Sequence, residues 1–126
     1  MSQHYYKCET RDLTNCVKVI LKWIESAEER TAFFKEYGMP TDTPLDKLEG
    51  SRLNAEWWYV EVDGEKKSLS EALDAMIEYE MNCIDNAINN QEKLIERKDL
   101  LDEAFNHVMS KDLNGCKNAL EHFLSV

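Results

Sequence analysis

The stretch from residue 68 to residue 109 constrains the fold most, because its apolar side chains recur at helical spacing. At about 100° per residue, one side of such a helix carries mainly apolar residues. This side comprises Leu73, Met76, Ile77, Ile84, Ala87, Ile88, Leu94 and Ile95. The pattern predicts either one long helix over about 70–109 or two helices that meet near Asn89 and Asn90.

The polar side of the same stretch is strongly acidic. Residues 68–92 contain six carboxylates and no lysine or arginine. Five of the six form an acidic stripe: Glu71, Asp74, Glu78, Asp85 and Glu92. Like charges three or four residues apart repel, by roughly a few tenths of a kcal/mol per pair. The acidic stripe is therefore either a solvated face that tolerates this cost or an electronegative surface for a basic protein.

Two polar residues, Glu80 and Gln91, interrupt the apolar side of the predicted helix. A buried charge needs a partner. We therefore expect Glu80 either to pair with a lysine or arginine of another helix or to mark a partly open face.

A β-hairpin is predicted before the long helix. Residues 55–62 are aromatic and β-branched, which favours a strand, and Asp63-Gly64 is a strong two-residue turn signal. The predicted antiparallel hairpin covers about 56–69 and places Glu61 opposite Lys66. A two-stranded hairpin is marginal alone, so a third strand near residues 3–9 is the expected support.

Aromatic side chains mark the hairpin as a second candidate binding surface. Trp57 and Tyr59 alternate with Trp58 and Val60 along the predicted strand. Because successive strand residues face opposite sides, Val60 is expected in the core. Trp57 and Tyr59 then form either a second packing surface or an exposed aromatic patch for a partner.

Helices are also predicted at both ends of the chain. Apolar residues repeat at helical spacing from a cap at Thr10 to about Tyr37, and a last helix follows Ser110. Thr43-Pro44 predicts a short helical turn that ends at Gly50. The expected fold is α+β and mainly α, with three to four helices in a single domain over 1–126.

The charge balance narrows the classes of partner. A net charge of −10 and a pI near 4.7 argue against nucleic acid and anionic membranes, since neither surface attracts an acidic protein. The sequence contains no apolar run of about 18 residues, the length that a membrane-spanning helix needs, so no membrane span is predicted. The N-terminal residues lack the apolar core of a signal peptide, so we expect a cytoplasmic protein with reduced cysteines.

Motifs for catalysis or cofactor binding are missing from the sequence. The cysteines lack CxxC spacing, and the glycines form no phosphate-binding loop. We therefore expect no cofactor, no metal and no enzymatic activity. The first hypothesis is an inhibitor or immunity-type protein that docks the acidic stripe, with Trp57 and Tyr59, onto a basic nuclease or DNA-binding enzyme. We also expect a homo-oligomer, because an uninterrupted helix over about 70–109 would run about 60 Å and exceed what one copy of the chain can cover. The alternatives for the function are a structural homo-oligomer built on the long helix and a small-ligand binder, for example of nucleotides.

Overall fold

The fold is that of a computed structural model, which describes residues 6–37, 59–87, 89, 91–110 and 112–126. These residues form four helices and one three-stranded sheet. In chain order the elements are β1 (Lys7–Cys8), α1 (Leu13–Glu36), β2 (Val60–Val62), β3 (Glu65–Lys67), α2 (Leu69–Asn86), α3 (Gln91–Met109) and α4 (Leu113–Ser125). The predicted α+β, mainly α class is confirmed. The predicted short turn near residues 43–50 lies outside the described residues.

The sheet confirms both the hairpin and the third strand. β2 and β3 are antiparallel with Glu61 opposite Lys66, as the turn signal predicted. Asp63 and Gly64 both have positive φ, 51° and 84°, as a two-residue hairpin turn requires. β1 pairs with β2 in parallel, so the sheet is mixed rather than purely antiparallel.

The turn residue Asp63 also joins the hairpin to the start of α1. Its carboxylate accepts hydrogen bonds from the backbone N–H of Thr10 at 3.0 Å and from the Thr10 hydroxyl at 2.7 Å. The prediction that Thr10 caps the first helix is therefore wrong. Asp12 does so instead, because its side chain accepts from the backbone N–H of Asn15 at 3.1 Å, just before α1 begins at Leu13.

The core lies where the four helices and the sheet meet. α2 packs against α3, α3 against α4, and α4 against α1, while the sheet contacts α1 and α2. The largest side chains that this arrangement buries completely include Trp23, Ile20, Ile24, Leu73, Met76, Leu101 and Leu120. Val60 and Val62 are also fully buried, which confirms the predicted inward face of the strand.

The predicted long helix over about 70–109 is two helices, which was the second of the two interpretations. Ala87 takes up an extended conformation with ψ at 135°, and α2 ends there. The Gln91 side chain then donates hydrogen bonds to the backbone carbonyls of Ile84 and Ala87, both at 3.2 Å. Gln91 is thus an exposed residue that satisfies the end of α2, and not a polar residue on a buried face.

The break at Ala87 leaves two shorter helices in place of one long helix. An uninterrupted helix would run about 60 Å. The two helices pack against each other and cover part of their apolar sides, and self-association stays a prediction. None of the helices in the described ranges has both the length and the apolar character that a membrane crossing requires.

Candidate partner-binding face

The acidic stripe begins in a helix cap. The hydroxyl of Ser68 accepts a hydrogen bond from the backbone N–H of Glu71 at 3.4 Å, and the Glu71 carboxylate accepts from the backbone N–H of Ser68 at 3.0 Å. This reciprocal pair is a capping box. The hydrogen bonds from the Ser68 backbone and hydroxyl lower the pKa of Glu71 below its ordinary value. Glu71 is therefore held by the helix start and is less available to a partner.

Three further carboxylates of the acidic stripe are exposed along α2. Asp74, Glu78 and Asp85 lie on the side opposite the buried Leu73 and Met76. In the part of the chain that the structure describes, no lysine or arginine lies within ion-pair distance of any of the three. From Asp74 to Asp85 the row extends about 16 Å at the standard helical rise. We call these three residues the acidic face.

Glu92 does not continue the acidic face as one helix would have placed it. It lies in the first turn of α3, beyond the break at Ala87. There the helix dipole favours a carboxylate, so the presence of Glu92 is explained by its stabilising effect on α3. Asp85 has no such reason, because it lies in the last turn of α2, where the dipole disfavours an anion and no basic residue is present.

Of the two aromatic residues of the predicted site, Tyr59 lies among the described residues and Trp57 does not. Trp57 and Trp58 lie outside the described residues. Tyr59 is half-buried and is engaged in an interaction within the chain. An exposed aromatic patch beside the acidic face therefore stays a prediction.

An apolar groove between α2 and α3 was missed by the sequence analysis. Met81, Ile84 and Ile95 line an open cavity of about 240 Å3, together with Asp85, Lys98 and Asp99. Met81 is 48% exposed and Ile95 is 44% exposed, although Ile95 was expected on the buried side. Ile95 lies in α3, beyond the break at Ala87, so its direction does not follow from the helical spacing of α2. We call this feature the apolar groove.

Charges on the rim of the apolar groove are unbalanced. The ammonium of Lys98 lies 2.6 Å from the Asp102 carboxylate, and this hydrogen bond raises the pKa of Lys98. The one cation among the residues that line the groove is therefore already neutralised within the chain. Asp85 and Asp99 are left as the uncompensated charges at its edge. Asp85 belongs to both features, so the apolar groove adjoins the acidic face.

Glu80, on the inward side of α2, lacks the expected ion pair. The residue is 1% exposed, and its Oε1 atom has no hydrogen-bond partner in the described ranges. Burial raises the pKa of Glu80, and the charge of Arg97 only partly opposes that rise. The Arg97 guanidinium lies 4.7 Å from the centre of the Phe123 ring, a cation–π contact. Glu80 is therefore a buried carboxylate without an ion pair among the described residues.

Neither a metal site nor similarity to a known protein assigns a function to the described residues. Among the residues placed by the structure, no three His, Cys, Asp or Glu side chains come together as a metal site. Comparison with protein-family models found no match, and comparisons with curated proteins and with solved structures likewise found none.

Proposed function

We propose that this chain is a protein-binding module of the inhibitor or immunity type, with no catalytic role of its own. It docks onto a basic protein, such as a nuclease or a DNA-binding enzyme, through the acidic face and the adjoining apolar groove. The observation that supports this most is that Asp74, Glu78 and Asp85 are exposed and have no ion-pair partner among the described residues.

The electrostatic cost of the acidic face favours a binding role over a solubilising one. Asp74 and Glu78 are four residues apart, which destabilises a helix by roughly a few tenths of a kcal/mol. Asp85 adds an unfavourable interaction with the helix dipole. A solubilising surface gains nothing from this arrangement, whereas a basic partner relieves both terms and is drawn to the face at long range.

The apolar groove supplies what the acidic face lacks. Charge complementarity speeds encounter, but slow dissociation needs buried apolar contacts near the centre of an interface. Met81 and Ile95 provide such contacts, and methionine adapts its shape to different partners. The matching segment of the partner is an amphipathic helix with apolar anchors for the groove and lysine or arginine beside Asp85 and Asp99.

A second copy of the chain fits the groove less well than a basic protein does. Each copy carries a net charge of −10. A symmetric contact through the groove would bring Asp85 and Asp99 of one copy towards the same residues of the other, and like charges across an interface oppose association. The homo-oligomer remains the alternative, and light scattering on the purified protein distinguishes it from a monomer that binds a different protein.

The test compares two charge-reversal variants of the same net charge. Proteins captured from the native cell are identified by mass spectrometry, and the affinity of the purified candidate is measured at two salt concentrations. Glu78→Lys with Asp85→Lys should weaken binding at least about tenfold and flatten its salt dependence. The control, Glu36→Lys with Glu121→Lys, reverses two exposed carboxylates on α1 and α4. Equal effects of the two variants would show that only net charge matters and would refute a defined docking face.

A further inference from the structure

Two cysteine thiols meet between β1 and the first turn of α1. The backbone N–H of Asp12 donates to the carbonyl of Glu9 at 2.9 Å, so the chain turns back immediately after the strand. The Cys16 thiol then donates to the same Glu9 carbonyl at 3.1 Å. Because Glu9 directly follows Cys8, this contact fixes the Cys16 sulfur at the end of β1.

The two thiols interact with each other, and the interaction makes them unequal. Contact with the Cys16 thiol lowers the pKa of Cys8, against the opposing effects of burial and of the nearby Asp63 charge. The same contact, together with burial, raises the pKa of Cys16. Cys8 is therefore the thiol that forms a thiolate more easily, and Cys16 keeps its proton.

Cys8 also borders the surface. It lines an open cavity of about 620 Å3 together with Lys7, Arg11, Asp12, Glu61 and Asp63. Cys16 is fully buried behind it. A small molecule in the cavity therefore meets Cys8 first, while Cys16 lies on the protected side.

The charges around the cavity restrict the class of reactant. Lys7 lies 4.0 Å from the Glu61 carboxylate, and Arg11 lies 2.9 Å from that of Glu9, so both cations are already paired. Asp12 and Asp63 leave an excess of negative charge at the wall. This excess disfavours anionic disulfides such as glutathione disulfide and admits a small neutral peroxide.

We propose that Cys8 and Cys16 form a peroxide-reactive thiol pair that closes to a disulfide. The Cys8 thiolate attacks one oxygen of hydrogen peroxide, the O–O bond breaks, and the departing hydroxide takes a proton to become water, which leaves Cys8 as a sulfenic acid. The Cys16 sulfur then attacks the Cys8 sulfur. The S–O bond breaks, and the hydroxyl leaves with the Cys16 proton as a second water. Each peroxide thus oxidises two thiols to one disulfide.

The other two cysteines provide internal controls. Burial is the main reason that the pKa of Cys116 is raised to about 12, so this thiol is expected to be inert. Cys83 is half-buried on α2 and does not line the cavity. Replacing Cys83 and Cys116 together by serine leaves the thiol pair as the only reactive cysteines.

The experiment treats the folded Cys83→Ser/Cys116→Ser variant with hydrogen peroxide and then blocks free thiols. Trypsin cleaves after Lys7, Arg11 and Lys18, so it separates Cys8 and Cys16 into different peptides. We expect mass spectrometry to find these two peptides joined, with the loss of two hydrogens. A pair that stays reduced under peroxide that oxidises free cysteine would overturn the proposal, as would a sulfinic acid at Cys8 without the link.

Single replacements assign the order of attack and the reactant class. With Cys16→Ser added, a sulfenic acid probe should label Cys8 at least about tenfold faster than it labels Cys116 in the wild-type chain. With Cys8→Ser added, Cys16 should stay unlabelled, and preferential labelling of Cys16 would refute the assignment. Glutathione disulfide should form the link at least about tenfold more slowly than peroxide at equal concentration. Equal rates would overturn the role of the cavity charges.

Discussion

The outward sides of α2 and α3 are both highly charged, yet their charges are arranged differently. On α3 part of the charge is paired within the chain: Lys98 lies 2.6 Å from Asp102, and His107 lies 3.7 Å from Glu103, an ion pair when the imidazole is protonated. On α2 the acidic face has no cation within ion-pair distance in the described ranges. Charge density alone therefore does not distinguish a binding surface from a solubilising one. The distinction lies in whether the chain neutralises its own charges.

The largest effect is expected on the inward side of α2, where a carboxylate is costly rather than useful. Replacing Glu80 by leucine should stabilise the fold at neutral pH by roughly 1–4 kcal/mol, the range found when buried ion pairs are replaced by apolar residues, because it removes a buried carboxyl group without an ion pair. Glu78→Leu, on the acidic face, should change the free energy of unfolding by less than about 0.5 kcal/mol. Chemical denaturation of both variants measures the contrast, and similar effects would show that the two sides of α2 do not differ.

The pH dependence of Glu80→Gln sharpens this test. Because burial raises the pKa of Glu80 in the folded state, the folded chain holds that proton to higher pH than the unfolded chain. Stability is thus lost as pH rises through the raised value. The variant should have a higher Tm than the wild type at pH 7, and the difference should disappear below about pH 4, where the side chain is protonated in both states. A pH-independent difference would contradict an ionisation effect.

An intermediate effect on stability is expected where α3 meets α4. Gly115 leaves room there for the side chains of His107 and Asp112. A Cβ atom at this position would lie 2.5 Å from Nδ1 of His107 and 2.6 Å from Oδ2 of Asp112. These two groups are 3.1 Å apart, and the Asp112 carboxylate also accepts from the backbone N–H of Gly115 at 3.0 Å. Gly115→Ala should therefore destabilise the fold by about 1 kcal/mol, since loss of the cap outweighs the better helix propensity of alanine.

A double-mutant cycle tests that reason. In an Asp112→Ala background the cap is already lost, so adding Gly115→Ala should cost less than it does in the wild type. If Gly115→Ala stabilises the fold in both backgrounds, helix propensity decides at this position and the paired charges do not.

The smallest effects are expected from single substitutions on the outward sides of α2 and α3. Glu78→Lys relieves repulsion with Asp74 and should stabilise the fold by roughly a few tenths of a kcal/mol. Lys98→Ala removes the ion pair with Asp102 and should destabilise it by a similar amount. Thermal unfolding at low and high salt measures both, and salt should reduce both. Destabilisation by Glu78→Lys would mean that the acidic face contributes to folding.

The sequence was sufficient for features whose signals are local. The helical spacing correctly predicted that Leu73 and Met76 are buried and that Glu78 is exposed. A helix that packs on one side leaves an apolar pattern with a period of 3.6 residues. The pairing of Glu61 with Lys66 followed from the two-residue turn alone. The acidic stripe was predicted with the same spacing, although the structure assigns Glu71 to a cap.

Features that depend on tertiary contacts were not predictable in this way. Asn89 and Asn90 indicated a possible break, but alanine is the best helix former by propensity, so the end of α2 at Ala87 itself was not indicated. The exposure of Met81 and Ile95 depends on how α2 and α3 pack. The thiol pair depends on the turn from Glu9 to Asp12, which brings Cys16 under β1, and the spacing of the cysteines alone did not indicate it.

The parallel pairing of β1 with β2 has a consequence for the order of folding. The hydrogen bond from Thr10 to Asp63 joins residues 53 positions apart, so β1 can pair with β2 only after a long loop has closed. Loop closure of this kind slows folding relative to contacts between neighbours in sequence. The consecutive helices α2, α3 and α4 need no such step. We therefore expect these helices to assemble early and the edge of the sheet to form in the last kinetic phase.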